Sequence, residues 1–402
     1  MTSQERHEAR YQRRKSKREQ KNIERAEKYA EFRNIFSLEK LEAGYKNVAK
    51  PSGNKTSTQT WMANLAVNAR KEQIELYNGT WKSRGFNYFT IKERGKWRNI
   101  QSTHISEKGI QNCFVNNCFI PLIEPHLIYD NGASLKGKGT SFSIDRFVEH
   151  LRYHIRKHGV KGGIYFFDFS NFFANINNDI LFNKADPLIM EEAAKKIYSV
   201  FTCAFGSGLG LGSPISQISA LFYPSVADHW LKDGIGIKGY GRHMDDGYII
   251  CDDIQKLKKI AERFEKKCEE LGIVMNRKKC RIIRLKANFV FLKTRFFITP
   301  SGKIIKRMSR EKCRMERKRL RKFCAFYRLG VMKEKEIYLN FHSWVMSQPI
   351  HYTFHALLNM IRYYNELFPN FERYRPLKTN MRKAIKKNSQ MSLAVYQNNT
   401  TG

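Results

Sequence analysis

Apolar and polar positions alternate along this chain with two periods, one typical of helices and one typical of strands. A period near 3.6 residues predicts amphipathic helices at residues 37–50, 61–77, 111–128, 141–158, 177–205, 213–230 and 254–270. Alternating or continuous apolar runs predict strands at residues 86–100, 163–169, 238–251 and 281–297. The chain therefore combines helices with short strands, which predicts an α+β fold.

Two of the strand segments are predicted to be β-hairpins. Residues 86–100 alternate around a central Gly95, with basic residues near the tip. In residues 238–251, Asp246 and Gly247 lie between two apolar flanks. Because Asp-Gly favours a tight turn, the turn of this hairpin is predicted at that pair.

Three segments lack the apolar content of a core. Residues 1–30 contain ten Lys or Arg and five Glu, which predicts a solvated helix or a frayed arm. Residues 51–60 are small and polar and predict a loop or linker. From residue 303 onward the pattern is helical and intensely basic, with eleven Lys or Arg and two Glu in residues 303–324.

Net charge is the property of the composition that says most about the binding partner of this chain. The 402 residues include 73 Lys or Arg against 37 Asp or Glu, a formal net charge of +36. Such self-repulsion favours a polyanionic partner, and nucleic acid is the first candidate. An anionic membrane surface and a merely basic soluble protein are the alternatives.

Apolar runs and cysteines exclude several classes. No apolar run approaches the ~18 residues of a membrane span, and no signal peptide is visible. The eight cysteines are scattered without a CxxC pair, which argues against a zinc site and against a disulfide scaffold. We therefore expect a cytoplasmic protein without membrane contact.

Two acidic positions lie where neighbouring strands would bring them together. Asp168 ends the strand of residues 163–169, and Asp245 lies within the hairpin of residues 238–251. Taken alone, an Asp at a strand end is more often a turn residue or a helix cap. Together, converging carboxylates are what a pair of hard divalent cations requires in order to activate a 3′ hydroxyl and hold a triphosphate.

Several motifs resemble those of bacterial reverse transcriptases, which are related to the group II intron enzymes. In chain order they are IKERGKWR (91–98), FDFSNFFANI (167–176), GLGLGSPISQISA (208–220), YGRHMDD (240–246), LGIVMNRKKC (271–280) and FVFLK (289–293). The resemblance covers about residues 85–300 and points to the compact branch of retron, diversity-generating and defence-associated enzymes.

The resemblance implies a two-metal catalytic centre. Asp168 and Asp245 would bind two Mg²⁺ ions, for which Mn²⁺ could substitute, with help from the Phe169 carbonyl. Asp246 completes the acidic set and is expected to point away and tune the site, while sharing the field of the metal ions. Lys279 would protonate the pyrophosphate leaving group.

The resemblance also implies residues that bind nucleotide, primer and template. Phe173 would lie under the sugar and exclude a 2′ hydroxyl. The remaining nucleotide contacts would come from Lys92, Lys96, Arg98, Ser216 and Gln217, and the primer or template contacts from Lys136, Lys138, His243, Leu292 and Lys293. The chain departs from the family pattern at His243 for Tyr, Gly210 for Pro, Leu211 for Gln and Lys293 for Gly.

The fold implied is that of a right-hand polymerase, with fingers, a palm built on a small antiparallel sheet with helices, and a helical thumb. The expected division is residues 1–60 as a basic arm and helix, 61–160 as fingers, 161–300 as palm with part of the fingers at 177–205, and 301–402 as a helical thumb and RNA-binding region.

The function implied is RNA-directed DNA synthesis from deoxynucleoside triphosphates. The expected template is a structured noncoding RNA, the product is DNA, and the expected setting is bacterial antiphage defence; an oligomer is compatible with the sequence. Two alternatives stay open. One is a catalytically degenerate RNA-binding scaffold, and the other is an untemplated or protein-primed nucleotide polymerase of the same fold.

Overall fold

The computed structural model describes residues 2–93, 96–203, 207–348 and 350–375, without the side chains of residues 3, 4, 93, 96 and 350–352. The chain divides into two compact units. The first unit comprises Met1–His150 and Ile164–Ile282, and the second comprises Leu151–Gly163 and Ile283–Gly402.

Helices and strands alternate along the described residues, which confirms the α+β class. The helices are α1 Ser3–Tyr29, α2 Phe32–Ile35, α3 Leu38–Ala49, α4 Thr56–Ala63, α5 Leu65–Tyr77, α6 Ile105–Phe114, α7 Ile120–Ile123, α8 Thr140–His158, α9 Asn178–Ile189, α10 Glu192–Thr202, α11 Pro214–Phe222, α12 Ser225–His229, α13 Ile254–Glu269, α14 Arg310–Arg328, α15 Glu334–Met346 and α16 Ile350–Leu367. The strands are β1 Asn87–Glu93, β2 Lys96–Ser102, β3 Gly163–Asp168, β4 Tyr240–His243, β5 Asp246–Cys251, β6 Arg281–Arg284, β7 Phe289–Phe291, β8 Thr294–Ile298 and β9 Ile304–Met308.

A four-stranded sheet with the order β4-β5-β3-β6 organises the first unit. Every residue of β3 is buried, as its continuously apolar sequence predicts. Phe167 of β3 packs against Tyr240 of β4 and Phe264 of α13, with ring centroids 6.3 and 4.9 Å apart. Burial of these rings fixes the end of β3, and with it the position of Asp168.

The predicted hairpin at residues 238–251 is present, but its turn is not at Asp246 and Gly247. His243 pairs with Asp246 and Arg242 pairs with Gly247, so the turn consists of Met244 and Asp245. The physical reason is packing, because a Cβ on Gly247 would lie 2.2 Å from the Phe167 ring. Only a residue without a side chain fits there, and Gly247 is therefore a strand residue.

The hairpin at residues 86–100 is confirmed as β1 and β2, which pair from Asn87 with Ser102 to Glu93 with Lys96. Several predicted helices are shorter than expected. Asn64 separates α4 from α5, and α4 begins within the predicted linker of residues 51–60. The predicted helix at 111–128 is α6, a π-helical turn and α7, and those at 177–205 and 213–230 are each two helices.

The second unit contains a three-stranded sheet with the order β7-β8-β9 and the helices α14, α15 and α16. Because β9 follows residue 303, the helical region begins at α14 and not near Lys303 as predicted. Aromatic packing forms its core, as between Phe341 and Tyr364, whose rings stack 4.3 Å apart.

All eight cysteines are free thiols, as their scattered positions in the sequence predict. Within the described residues, no helix is both long enough and apolar enough to cross a membrane.

Candidate active site

Asp168 is buried at the end of β3, with 3% of its surface exposed. One carboxylate oxygen, Oδ1, accepts a 2.9 Å hydrogen bond from Asn276 Nδ2. The other, Oδ2, forms an ion pair with Lys279 Nζ. The backbone N–H of Asn276 also donates to the Asp168 carbonyl, at 2.8 Å. Asp168 is thus held on both sides by the segment that follows α13.

Asp245 is brought next to the end of β3 by the β4–β5 turn. The Phe169 N–H donates a 3.1 Å hydrogen bond to the Asp245 carbonyl, so the two backbones touch at the site. Burial is the largest influence on the Asp245 carboxyl and raises its pKa, and the negative charge of Asp168 adds to that rise. The charge of Asp168 therefore makes ionisation of the Asp245 carboxyl less favourable.

Asp246 faces Asp168 and does not point away from the site as predicted. Burial, the charges of Asp245 and Asp168, and a hydrogen bond to Asp168 together raise the pKa of Asp246 to about 7. Three carboxyl groups are thus concentrated in one largely dry place. A buried like-charge cluster of this kind is costly without cations, which is characteristic of a functional site.

Lys279 supplies the positive charge at this cluster. Burial lowers its pKa, but the hydrogen bond to Asp168 and the charges of the three aspartates outweigh burial, so the pKa of Lys279 is raised. The ammonium is therefore protonated at neutral pH. Its side chain remains 52% exposed, so Nζ is accessible from solvent.

The donor set of the cluster suits a hard divalent cation, because three carboxylates and the nearby Phe169 carbonyl offer oxygen ligands. In the described part of the chain, however, no three His, Cys, Asp or Glu side chains form a ready-made metal site. At Asp168, Asn276 and Lys279 each engage one carboxylate oxygen, and each oxygen keeps a further lone pair for a cation.

A buried ion pair lies behind the β4–β5 turn. The Arg242 guanidinium is fully enclosed and donates to both oxygens of Asp228, with Nη2 to Oδ2 at 2.6 Å and Nε to Oδ1 at 2.9 Å. Its Nη1 donates to the Met244 carbonyl at 2.8 Å. Met244 has a φ of 59°, a left-handed conformation that is unfavourable for its side chain. Arg242 thus fixes the turn that carries Asp245.

The glycine-rich segment holds the β1–β2 hairpin against the site. Gln101 N–H donates to the Leu211 carbonyl and Leu211 N–H donates to Gln101 Oε1, both at 3.0 Å. Gly208 has a φ of 72°, and a Cβ there would lie 2.5 Å from the Ala174 carbonyl oxygen. The backbone of Leu211 therefore has a structural role that its side-chain identity does not reveal.

Three predicted nucleotide contacts, Phe173 and two residues of the glycine-rich segment, differ in exposure. Phe173 is half-buried with its ring against the edge of Phe172, at 5.9 Å between centroids. Gln217 is exposed and donates to Ser134 Oγ at 2.9 Å. Ser216 is fully buried, and its hydroxyl has no partner among the described residues. A nucleotide contact by Ser216 is therefore not supported.

The residues predicted to contact primer or template in the first unit are mostly engaged with protein. His243 Nδ1 lies 2.8 Å from Ser143 Oγ and 3.1 Å from the Gly132 carbonyl, and burial lowers the pKa of His243. Lys138 Nζ donates to the Tyr129 carbonyl at 3.0 Å. Lys136 is exposed to solvent.

The remaining predicted residues lie on two hairpins. On β1 and β2, Lys92 Nζ is 5.2 Å from the centre of the Trp97 ring, and Arg98 is exposed. The side chain of Lys96 lies outside the part of the chain that the structure describes. In the second unit, Leu292 and Lys293 form the β7–β8 turn with φ values of 44° and 61°. Lys293 thus adopts the backbone conformation that Gly usually supplies.

Two residues of the site were missed by the sequence analysis. Asn276 stands three residues before Lys279 in the motif of residues 271–280, and that spacing could have identified Asn276 as a partner of the site. Asp228 stands outside every quoted motif, 14 residues before Arg242 in the chain, and no local pattern marks it.

The sequence matches the family model described as "Reverse transcriptase (RNA-dependent DNA polymerase)" over residues 90–335. No curated protein shows significant similarity to the chain.

Among solved structures, the chain is similar to telomerases. The apo telomerase of Candida tropicalis truncated from its C-terminal domain shares 15% identity at a TM-score of 0.41, over 55% of this chain and 54% of that one. The Candida albicans telomerase in complex with a TWJ fragment of telomeric RNA shares 12% identity at a TM-score of 0.46, over 78% of this chain and 59% of that one. The chain thus spans less than two thirds of the length of either, and these similarities carry no part of the assignment.

The assignment of this chain to a family rests on the family model alone. Its matched range contains the three aspartates, Lys279 and all the strands from β2 to β9, together with the end of β1. Members of this family are RNA-directed DNA polymerases with the right-hand polymerase fold, as the motifs implied. Because the match extends over more than half of the chain, this protein belongs to the reverse transcriptase family.

Proposed function

We propose that this chain synthesises DNA on an RNA template, using the cluster of Asp168, Asp245 and Asp246 as its catalytic centre. The observation that carries the proposal is the meeting of three carboxyls from separate parts of the chain, two of them with raised pKa. Two Mg²⁺ ions bound there would supply Lewis acidity toward the 3′ hydroxyl and the triphosphate.

The side chains of the site have separate tasks in this reaction. The 3′ hydroxyl attacks the α-phosphate in line and pyrophosphate departs. Asp168 and Asp245 would hold the two cations, and the deprotonated form of Asp246 would offer them a further oxygen ligand. Lys279 carries its proton at Nζ beside Asp168. Once released from Asp168, this ammonium is positioned to protonate the departing pyrophosphate.

Primer extension tests the proposal. The unmodified chain, mixed with a primed RNA template, deoxynucleoside triphosphates and Mg²⁺, should extend the primer, and Asp245→Asn should abolish extension. Asp179→Asn is the matched control, because Asp179 is an exposed carboxylate on α9 outside the site. Equal extension by the wild type and Asp245→Asn would refute the catalytic assignment.

The same assay separates the two alternative functions. A lack of extension on every template would favour a degenerate RNA-binding scaffold, an alternative motivated by the engagement of both Asp168 oxygens. DNA made without added template, or attached covalently to a Tyr, Ser or Thr, would favour an untemplated or protein-primed polymerase.

For the biological role, we propose a cytoplasmic bacterial enzyme of antiphage defence that copies a structured noncoding RNA. The net charge of +36 supports a stable polyanionic partner. The proposed division places fingers at residues 61–160, palm at 161–300 and thumb at 301–402.

Sequencing of RNA and complementary DNA that copurify with the chain tests the template. A phage challenge with Asp245→Ala and Asp246→Ala tests the role, since protection that survives both changes would contradict it.

A further inference from the structure

A basic groove that shares no residue with the active site runs between α1 and the body of the first unit. It has a volume of about 720 Å³. From α1 it is lined by Arg18, Lys21 and Arg25, and from the body by His126, Lys184 and His229. None of the three α1 cations forms an ion pair with a residue that the structure describes. Their charges are therefore available to a partner.

The residues on the body side of this groove are held in place by hydrogen bonds within the protein. Lys184 Nζ donates to the carbonyls of Phe222 and Tyr223 and to Ser225 Oγ, at 2.6 to 3.0 Å. All three of its N–H groups are thus used within the protein, so Lys184 forms the floor and does not reach a ligand. The carboxylate of Asp233 is the acidic group of the groove and is paired with His229 at 2.6 Å.

The cations of the groove belong to a longer row on α1. Basic residues recur at intervals of three or four along one face of the helix, at Arg10, Arg14, Arg18, Lys21, Arg25 and Lys28. At a rise of 1.5 Å per residue this row extends over ~27 Å. A single nucleotide or a free anion cannot contact a row of that length, whereas the phosphates of a nucleic-acid backbone can.

The chemistry of α1 also discriminates between polyanions. Insertion of a helix into a membrane surface uses a face of large apolar side chains, but the apolar residues of α1 that are buried, such as Ala26, pack into the protein core. Single-stranded RNA is usually held by several stacked aromatic rings, and α1 contains only Tyr11 and Tyr29. A double-stranded RNA stem is recognised mainly through its backbone, which requires neither feature.

We propose that the groove and the basic row of α1 bind the phosphate backbone of a double-stranded RNA stem. This inference rests on the proposed function in taking RNA as the partner, and it assigns a surface that holds RNA apart from the templating strand. Binding there would keep a structured RNA attached to the chain while its single-stranded part is copied.

The test is binding of a blunt RNA duplex without a recessed primer end, measured by fluorescence anisotropy at several salt concentrations. The groove variant carries Arg18→Gln, Lys21→Gln and Arg25→Gln. The matched control carries Lys256→Gln, Lys259→Gln and Lys266→Gln, which removes the same charge from exposed positions of α13 outside the groove. Gln preserves helix propensity in both variants.

The groove variant should bind the duplex at least about 10-fold more weakly than wild type at ~0.1 M salt. The slope of log affinity against log salt should fall by about 2 to 3, because each lost phosphate contact removes ~0.9. The control should stay within about 3-fold of wild type, since diffuse charge alone contributes less than direct contacts. Equal losses in both variants would overturn the proposal, as would unchanged binding by the groove variant.

Two further measurements distinguish a failure of duplex binding in the groove from a failure of the proposed polymerase function. Extension of a short primer by the unmodified chain tests the polymerase activity, so a failure there contradicts the proposed function while duplex binding still tests the groove. Vesicles with anionic headgroups test the rival partner. Loss of vesicle binding in the groove variant, with duplex binding intact, would overturn RNA as the occupant.

Discussion

Replacement of Arg242 by Met should destabilise the first unit severely and disable the site. Arg242 and Asp228 are each about fully buried, with 0% and 1% of their side chains exposed. Met has a comparable length but no charge, so Asp228 would be left as an uncompensated buried carboxylate. Breaking a buried pair in this way costs about 3–5 kcal/mol.

The backbone contacts of Arg242 add to this cost. The guanidinium also donates to the carbonyls of Leu221 and Met244, at 2.9 and 2.8 Å. Each carbonyl left without its partner costs about 1–3 kcal/mol unless water replaces the donor. Since domains are typically stable by about 5–15 kcal/mol, the total loss is a large fraction of the stability available to the first unit.

Urea unfolding followed by circular dichroism measures the effect as a shift of the midpoint at constant slope. Arg242→Lys should also be destabilised, because one ammonium cannot reproduce the forked contact with Asp228. The double variant Arg242→Met with Asp228→Leu should be more stable than Arg242→Met alone, because it removes the orphaned charge. A loss below about 1 kcal/mol in Arg242→Met, or additive effects in the double variant, would refute the reasoning.

Three further predictions concern packing, pH and substrate choice. Gly247→Ala should lower stability by about 1–3 kcal/mol and reduce extension, because the new Cβ would lie 2.2 Å from the Phe167 ring; thermal unfolding at the wild-type temperature would contradict this. Burial lowers the pKa of Lys184 from 10.5 to about 7. Between these two values the unfolded chain binds one more proton than the folded chain, so the free energy of unfolding should rise from pH 7 toward pH 10 by up to ~1.4 kcal/mol per pH unit. In urea unfolding at a series of pH values, Lys184→Met should abolish that rise. The same pH dependence in Lys184→Met and the wild type would show that Lys184 carries its charge in the folded protein over this range. Phe173→Ala should raise incorporation of ribonucleotides relative to deoxyribonucleotides in single-nucleotide extension, and an unchanged ratio would exclude Phe173 as the steric barrier.

Local signals along the sequence determined the elements and the candidate chemistry. The apolar run of β3, the periodicity of α13 and the alternation of β1 and β2 were sufficient to predict those elements, because hydrophobic period is a property of short segments. The motifs likewise identified Asp168, Asp245, Asp246 and Lys279, since catalytic residue types stand at fixed local spacings.

Tertiary packing decided what local patterns left undetermined. Asp-Gly predicted the wrong turn because the Phe167 ring, 80 positions from Gly247, leaves no space for a side chain in β5. Asp246 faces Asp168, and Asp228 pairs with Arg242, through contacts between segments that are separated in the chain. The sequence alone thus singled out the three aspartates and Lys279, but not Asn276 or Asp228. Their orientation and partners follow from close packing and from the cost of burying unpaired charge, which depend on the whole fold.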